Sequence, residues 1–164
     1  MGIKNYEVLD FIKDEIKNIQ AIKDFCDINF NKPNITLFIG ADERMPPEQL
    51  EYYPAIVICP LPKDIGDANV QSDYSFMTTV LIAGKDKPIM DGNVITYDGI
   101  YQVEKLSSLI LDYLVTAFDT KTNVESLDIK YISAPVVQFP IYEADIVIKF
   151  SIGHTIGSDC SLLR

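Results

Sequence analysis

The chain is poor in basic residues, and this shortage restricts the partners it can bind. Fourteen Lys and Arg stand against 24 Asp and Glu, which gives a net charge of −10. Because sequence-independent binding of nucleic acid requires Lys and Arg to displace counterions from phosphates, the charge argues against such binding. An acidic surface instead repels DNA, which suits a protein past which DNA must slide without sticking.

Cysteine is also scarce. Cys26, Cys59 and Cys160 are an odd number and form no C-x-x-C pair. Cys59 lies inside an apolar run, where a free thiol packs like a small hydrophobe. The pattern indicates a reducing compartment and argues against structural disulfides.

Long apolar runs are missing. No window reaches the roughly 18 consecutive apolar residues that a membrane span needs. The first residues, MGIKNYEVLDFIKDE, alternate charged and apolar groups and lack the apolar centre of a secretory signal. Tyr6 stands where a myristoylation signal has Ser or Thr. We therefore expect a soluble intracellular protein.

No catalytic or cofactor signature is found in the sequence. The single histidine, His154, has no second His or nearby Cys to complete a metal site, so a polar residue at a strand end is the favoured interpretation. FIGADE, residues 38–43, has a glycine after a strand but neither phosphate-loop pattern. Several carboxylates cluster in predicted loops: Asp42, Glu43, Asp64, Asp67 and Asp73. They could bind a cation, but they lack the spacing of an EF-hand loop, so solvated surface carboxylates are the favoured interpretation. We predict no enzyme, cofactor or metal.

Hydrophobic periodicity predicts one domain, 1–164, with the element order α-β-β-β-α-β-β. Helices are predicted over 4–25 and from an N-cap at Asp98 through Ala117. Strands are predicted at 35–40, 55–59, 74–83, 127–131 and 141–152, and residues 94–97, after an Asp91-Gly92 turn, form a candidate short strand. Two helices with one apolar stripe each can cover only one face of a sheet. The fold class is thus an α+β two-layer sandwich, a mostly antiparallel four- to five-stranded sheet covered by two helices.

The stretch YYPAIVICPLP, residues 52–62, places prolines on both sides of an apolar strand. Proline cannot donate a hydrogen bond to a neighbouring strand, so Pro54 and Pro60 are tolerated only at strand ends or at a sheet edge. Two interpretations stay open. The strand is either an edge prepared for a neighbouring subunit, or a buried strand that the prolines terminate, with Tyr52 and Tyr53 filling the core.

The layout resembles that of the phage tail terminator, or tail-completion, family, which includes the neck proteins of phage-tail-like bacteriocins. The resemblance covers roughly residues 3–155. It consists of an N-terminal helix, the YPAIVICPLP strand, the long strand YSFMTTVLIAG, the helix YDGIYQVEKLSSLILDYL and the closing segment VVQFPIYEADIVIKFSIG. Phe139-Pro140 before the last strand is the most telling local match.

The resemblance implies a structural protein of a phage tail or tail-like particle, assembled in the bacterial cytoplasm. Members form rings, commonly hexameric, that cap the tail tube, end its polymerisation and connect to the neck or head. Expected partners are further copies of the chain, the tail tube protein, and sheath or neck proteins. Candidate contact segments are 43–53, 61–72 and 84–98, and the candidate interface residues within them are Glu43, Tyr52, Tyr53, Leu61, Asp64, Lys85, Lys87 and Asp91.

Two alternatives remain open at this stage. A small-molecule-binding domain or enzyme could use the open sheet face, which would require a pocket with convergent polar groups, beside Asp42 or His154 for example. Another head–tail joining protein of the same particle would have the same sequence features.

Overall fold

The structure is a computed structural model that describes residues 4–40, 50–61, 71–84, 88–133, 140–153 and 162–163. Within these ranges the helices are α1 (Asn5–Asn18), α2 (Gln20–Phe30) and α3 (Asp98–Lys121). The strands are β1 (Thr36–Ile39), β2 (Ala55–Pro60), β3 (Gln71–Ala83), β4 (Ile89–Asp91), β5 (Val94–Thr96), β6 (Ser126–Ser133) and β7 (Ile141–Gly153). No helix among these residues is long and apolar enough to cross a membrane.

Five strands form the main sheet in the order β1-β2-β3-β7-β6, and β4 pairs with β5 in a separate hairpin. The β2–β3, β3–β7 and β6–β7 pairs are antiparallel, whereas β1 and β2 are parallel. The long β3 and β7 form the centre of the sheet. The predicted α+β class, with a mostly antiparallel sheet covered by helices, is confirmed.

The main core lies between the helices and one face of the sheet. Alternate residues of β7, among them Ala144, Ile146 and Ile148, point into this core, as the period of two predicts. The stripe of α3 includes Leu106, Ile110 and Leu114, all fully buried, and packs against the same face. An aromatic cluster joins two helices to the sheet; its members are Phe11, Phe118, Phe150, Tyr74 and Phe76.

The predicted single N-terminal helix over 4–25 is wrong, because two helices meet at Ile19. Ile19 is buried and has an extended backbone, with φ −68° and ψ 111°. Just before it, the side-chain amide of Asn18 donates to the carbonyl of Asp14 at 2.8 Å, a local bond that competes with continuation of the helix. Three helices therefore cover the sheet where two were predicted.

Two smaller predictions also need correction. Asp98 is not the N-cap of α3: Tyr97 takes that position, and the Asp98 carboxylate accepts a hydrogen bond from the Gln102 side chain at 2.7 Å. The strand predicted to begin at residue 74 begins at Gln71, since its register against β7 continues to the Gln71–Gly153 pair.

The interpretation of residues 55–59 as an edge strand is wrong. β2 lies inside the sheet, between β1 and β3, and includes Pro60 as its last residue. Pro54 is buried just before the strand, at a cis peptide bond with Tyr53. Among the described strands, β1 and β6 form the edges of the sheet.

Candidate functional site

The second face of the sheet carries no described helix. Its residues come from the other side of each strand. At the centre of the sheet Val57, Thr79 and Asp145 are half-buried, whereas their neighbours on the helix side are fully buried. Ile132 and Lys130, on the edge strand β6, are exposed. We call this surface the open face. From the strand register, its central row is Phe38, Val57, Thr79, Asp145 and Ile132, and the next row is Cys59, Met77, Val147 and Lys130.

One corner of the open face is apolar. Tyr53, Ala55 and Ile141 form a small buried cluster there, and partly buried Phe38, Leu81 and Ala83 pack against it. The ring of Tyr52 meets the ring of Phe38 edge to face, with centroids 5.9 Å apart. We call Phe38, Tyr52, Val57 and Leu81 the apolar corner. It offers neutral, partly exposed aromatic and aliphatic surface, the composition typical of protein–protein contacts.

The open face becomes acidic next to this corner. Glu143 lies opposite Leu81, and burial, followed by repulsion from Asp145, raises the pKa of the Glu143 carboxyl above its ordinary value. The Asp145 carboxylate accepts a hydrogen bond of 2.6 Å from the hydroxyl of Thr79 on the neighbouring strand. Burial, followed by the nearby Glu143 charge, also raises the pKa of Tyr53. The carboxyl of Glu143 is thus partly desolvated without a cation placed to pair with it among the described residues.

A cavity of about 360 Å³ lies at the opposite end of the open face. Asp73, Asp128 and Lys149 contribute charges to its wall, together with Ser75 and Ser126. The hydroxyl oxygen of Ser75 is buried without a hydrogen-bond partner in the described structure. Small-molecule pockets are mostly apolar with a few polar groups, so this charged wall is atypical of them.

The β4–β5 hairpin leaves large apolar side chains in solvent. Met90 and Ile95 pair across the two strands on one side, and they are 69 % and 55 % exposed. Ile89 and Val94 lie on the other side and are exposed as well. An isolated two-stranded hairpin is at best marginally stable in water, and an arm that is apolar on both sides is typical of a segment that packs against a partner.

The exposed apolar surface continues into the first turn of α3. Tyr97, Ile100 and Tyr101 occupy one side of the helix start, because positions three and four apart share a face. We call the hairpin and these three residues the arm. Among the described residues 14 large hydrophobic side chains are exposed, and 7 of them belong to the arm, between residues 89 and 101. The arm is therefore the most concentrated exposed apolar surface in the described chain.

The predicted interface residues fall into three groups. Tyr52, at 38 % exposure, lies in the apolar corner, and Asp91 is exposed in the arm. Leu61 is half-buried, and its backbone N–H donates to the carbonyl of Ser75 at 2.8 Å. Tyr53 is only 6 % exposed, so its side chain fills the small cluster and offers little surface to a partner. The others lie outside the described residues: Glu43, Asp64, Lys85 and Lys87.

The sequence reasoning missed the apolar residues of the arm. It singled out segment 84–98 through its lysines and its Asp91-Gly92 turn, whereas the structure exposes Ile89, Met90, Val94 and Ile95. The available signal was two short apolar runs around a turn, too short for strands of the main sheet.

The histidine, carboxylates and cysteines singled out in the sequence lie only partly within the described residues. His154, Asp42, Asp67 and Cys160 lie outside the described residues, so the proposed pocket beside Asp42 or His154 is not described either. Within the described ranges, no three His, Cys, Asp or Glu side chains come together to hold a metal ion. Cys26 and Cys59 are free thiols, and burial raises the pKa of Cys26 to about 11.

Comparisons with known proteins do not assign the chain to a family. Neither the models of protein families nor the curated proteins that were searched give a match to this sequence. The function is therefore inferred from the geometry of the described residues and from the layout of the sequence.

Proposed function

We propose that the protein is a structural subunit of a phage tail or tail-like particle. In this proposal, copies close into a ring, six-membered as is common in the tail terminator family, that caps the tail tube and ends its polymerisation. The upper side of the ring then connects to the neck or head. The observation that carries the proposal is the arm, an exposed apolar element that a solitary subunit has no need of.

The open face and the sheet edges support the same function. A cyclic ring is held by heterologous contacts, in which one patch of a subunit meets a different patch of the next. The chain offers two different patches of this kind, the arm and the open face. The described edges β1 and β6 each have a paired strand on one side only, so further strands can be added there.

The charge of the chain fits a ring around a DNA channel. At a net charge of −10 for each copy, the lumen of a ring would repel the phosphate backbone rather than bind it. DNA could then pass without being held by the protein. The proposal assigns no catalytic step and no cofactor to the chain.

Tube assembly tests the proposal directly. The purified protein is added to polymerising tail tube protein, and tube lengths and tube ends are examined by electron microscopy. We expect shorter tubes with extra density at one end, in proportion to the amount of added protein. Unchanged tube lengths and bare ends would count against the proposal, whereas association only with neck or sheath proteins would favour a different joining role in the same particle.

The cavity at the far end of the open face supports a second candidate, a small-molecule-binding domain. Lys149 and Ser75 could bind an anionic or hydroxyl-bearing ligand there, although the nearby Asp73 and Asp128 oppose an anion. Chemical-shift perturbation by a panel of small metabolites would reveal such a site. Shifts confined to this cavity and lost in Lys149→Met would favour the second candidate.

A further inference from the structure

The arm has the size of one side of a stable protein interface. The exposed surface of its seven large apolar residues adds up to an area on the order of 800 Å². This is about the area that one partner contributes to a standard interface. Both sides of the hairpin contribute to this area, so a flat partner surface would cover only part of it.

Among the described surfaces of the same chain, the apolar corner is the best counterpart of the arm. The cavity at the far end of the open face has a charged wall, and the outward side chains of the edge strand β6 include Asp128 and Lys130. The corner instead presents Phe38, Tyr52 and Val57, and none of them carries a charge. Two apolar patches that meet avoid the repulsion that copies of such an acidic chain otherwise exert on one another.

The dimensions of the two surfaces also match. Strands lie about 4.8 Å apart within a sheet, and packed sheets are separated by about 10 Å. A hairpin of two three-residue strands is therefore narrower than the β1–β2–β3 part of the open face and fits within it. The arm does not cover its own corner in the described structure, because Met90 and Tyr52 are both exposed.

We propose that the arm of one copy packs on the apolar corner of the next copy, with the side of the hairpin that carries Met90 and Ile95 facing Phe38, Tyr52 and Val57. This inference rests on the proposed ring function and names its subunit contact. Each copy donates one arm and accepts another, so the contact is heterologous and closes when the last arm meets the first corner.

Site-specific photo-crosslinking tests where the arm binds. A benzophenone amino acid replaces Met90, and this protein is mixed with isotopically labelled wild type under the conditions in which the wild type assembles. We expect cross-links between labelled and unlabelled copies that map to residues 36–39, 52–61 or 77–83. Cross-links between copies that map elsewhere, or none in an assembled sample, would overturn the inference and leave the ring itself standing.

A charge variant tests whether the arm supplies the binding energy. In Met90→Asp/Ile95→Asp, two exposed apolar side chains become carboxylates, and we expect the concentration needed for half-assembly to rise on the order of 100-fold. Ile28→Asp is the matched control, because Ile28 is 80 % exposed on α2, outside the arm and the corner. Equal assembly of the arm variant and the wild type would overturn the inference. A wild type that stays monomeric alone and with tail tubes would instead overturn the proposed function.

Discussion

The ring of Tyr142 packs directly against the backbone of Gly99, at the start of α3. A Cβ atom at Gly99 would lie 2.2 Å from Cδ2 of this ring, and one at Gly84 would lie 2.5 Å from its Cε2. Gly84 follows β3 and Gly99 lies in the first turn of α3, so these glycines flank the β4–β5 hairpin in the sequence. One tyrosine ring therefore packs against the chain on both sides of the hairpin.

We predict that Gly99→Ala destabilises the fold. Alanine in place of a helical glycine ordinarily stabilises a protein by up to about 1 kcal/mol. Here the added methyl group would overlap the Tyr142 ring, and such overpacking costs about 1–3 kcal/mol. Urea unfolding should therefore show a lower free energy of unfolding for the variant.

Ser108→Ala is the control for this comparison, because Ser108 is exposed on the same helix. It should be neutral or slightly stabilising, as helix propensity alone predicts. A Gly99→Ala variant that gains stability as Ser108→Ala does would contradict the close contact with Tyr142.

We predict that Glu143→Gln raises stability at neutral pH and weakens its pH dependence. Folding raises the pKa of Glu143 above its ordinary value of 4.5, mainly because the carboxyl is partly buried and then because Asp145 lies nearby. Tyr53, in the segment before β2, also lies close enough to Glu143 to interact with its charge. The folded protein thus binds this proton more tightly than the unfolded chain does, and the resulting stability is present below pH 4.5 and lost as the pH rises through the raised value. Because the side chain is partly exposed, we expect a gain of only a few tenths of a kcal/mol at pH 7.

Urea unfolding between pH 4 and pH 7 measures this difference, and Asp112→Asn, at an exposed carboxylate on α3, is the control. At pH 7 the Asp112→Asn protein should have nearly the same free energy of unfolding as the wild type, as expected for an exposed surface substitution. If Glu143→Gln instead lowered stability at pH 7, the carboxylate would have a favourable partner that contradicts our description.

We predict that Phe150→Ala is among the most destabilising substitutions in the chain. Its ring is nearly parallel to that of Tyr74 at a centroid distance of 5.1 Å and contacts Phe118 of α3 at 5.2 Å. Removal of such a buried ring leaves a cavity and costs about 3–5 kcal/mol. Thermal or urea unfolding should show this loss, while Val115→Ala, on the exposed side of α3, should change the free energy of unfolding by less than about 0.5 kcal/mol.

We predict that assembly protects Cys59 from alkylation. Cys59 lies on the open face two residues from Val57, whereas Cys26 is fully buried among the helices. Burial raises the pKa of both thiols, so both should react slowly, with Cys59 the faster of the two. In a Cys160→Ser background, the Cys59 rate should fall as the protein concentration rises. A rate that is independent of concentration in a sample that does assemble would exclude the apolar corner as the contact.

The sequence was sufficient to predict the elements whose residues alternate or recur regularly. The period of two in β7 and the stripe of α3 identify both the element and its buried side. Pairing between distant segments was harder to predict: β1 and β2 pair in parallel, and the local pattern of each strand does not encode the direction of its neighbour. The break at Ile19 was missed because the spacing of Ile16, Ile19 and Ile22 fits one continuous helix equally well.

The candidate site was less predictable for a related reason. Tyr52 and Tyr53 are adjacent in the sequence, but one is exposed and the other buried, and only the direction of the chain into β2 decides between them. Apolar residues are assigned to a core by default, so the exposed side chains of the arm, such as Met90 and Ile95, could not be recognised before the sheet was known to exclude them. Site prediction therefore required the topology.

Mass measurement of the assembled protein tests the central claim most directly. Mass photometry of the full chain, alone and with tail tube protein, shows whether copies close into a ring. We expect a closed ring of about 111 kDa in the free protein, six times the 18.5 kDa chain, and loss of this free species to tube ends when tube protein is added. A protein that stays at 18.5 kDa in both samples and never associates with tubes would contradict it.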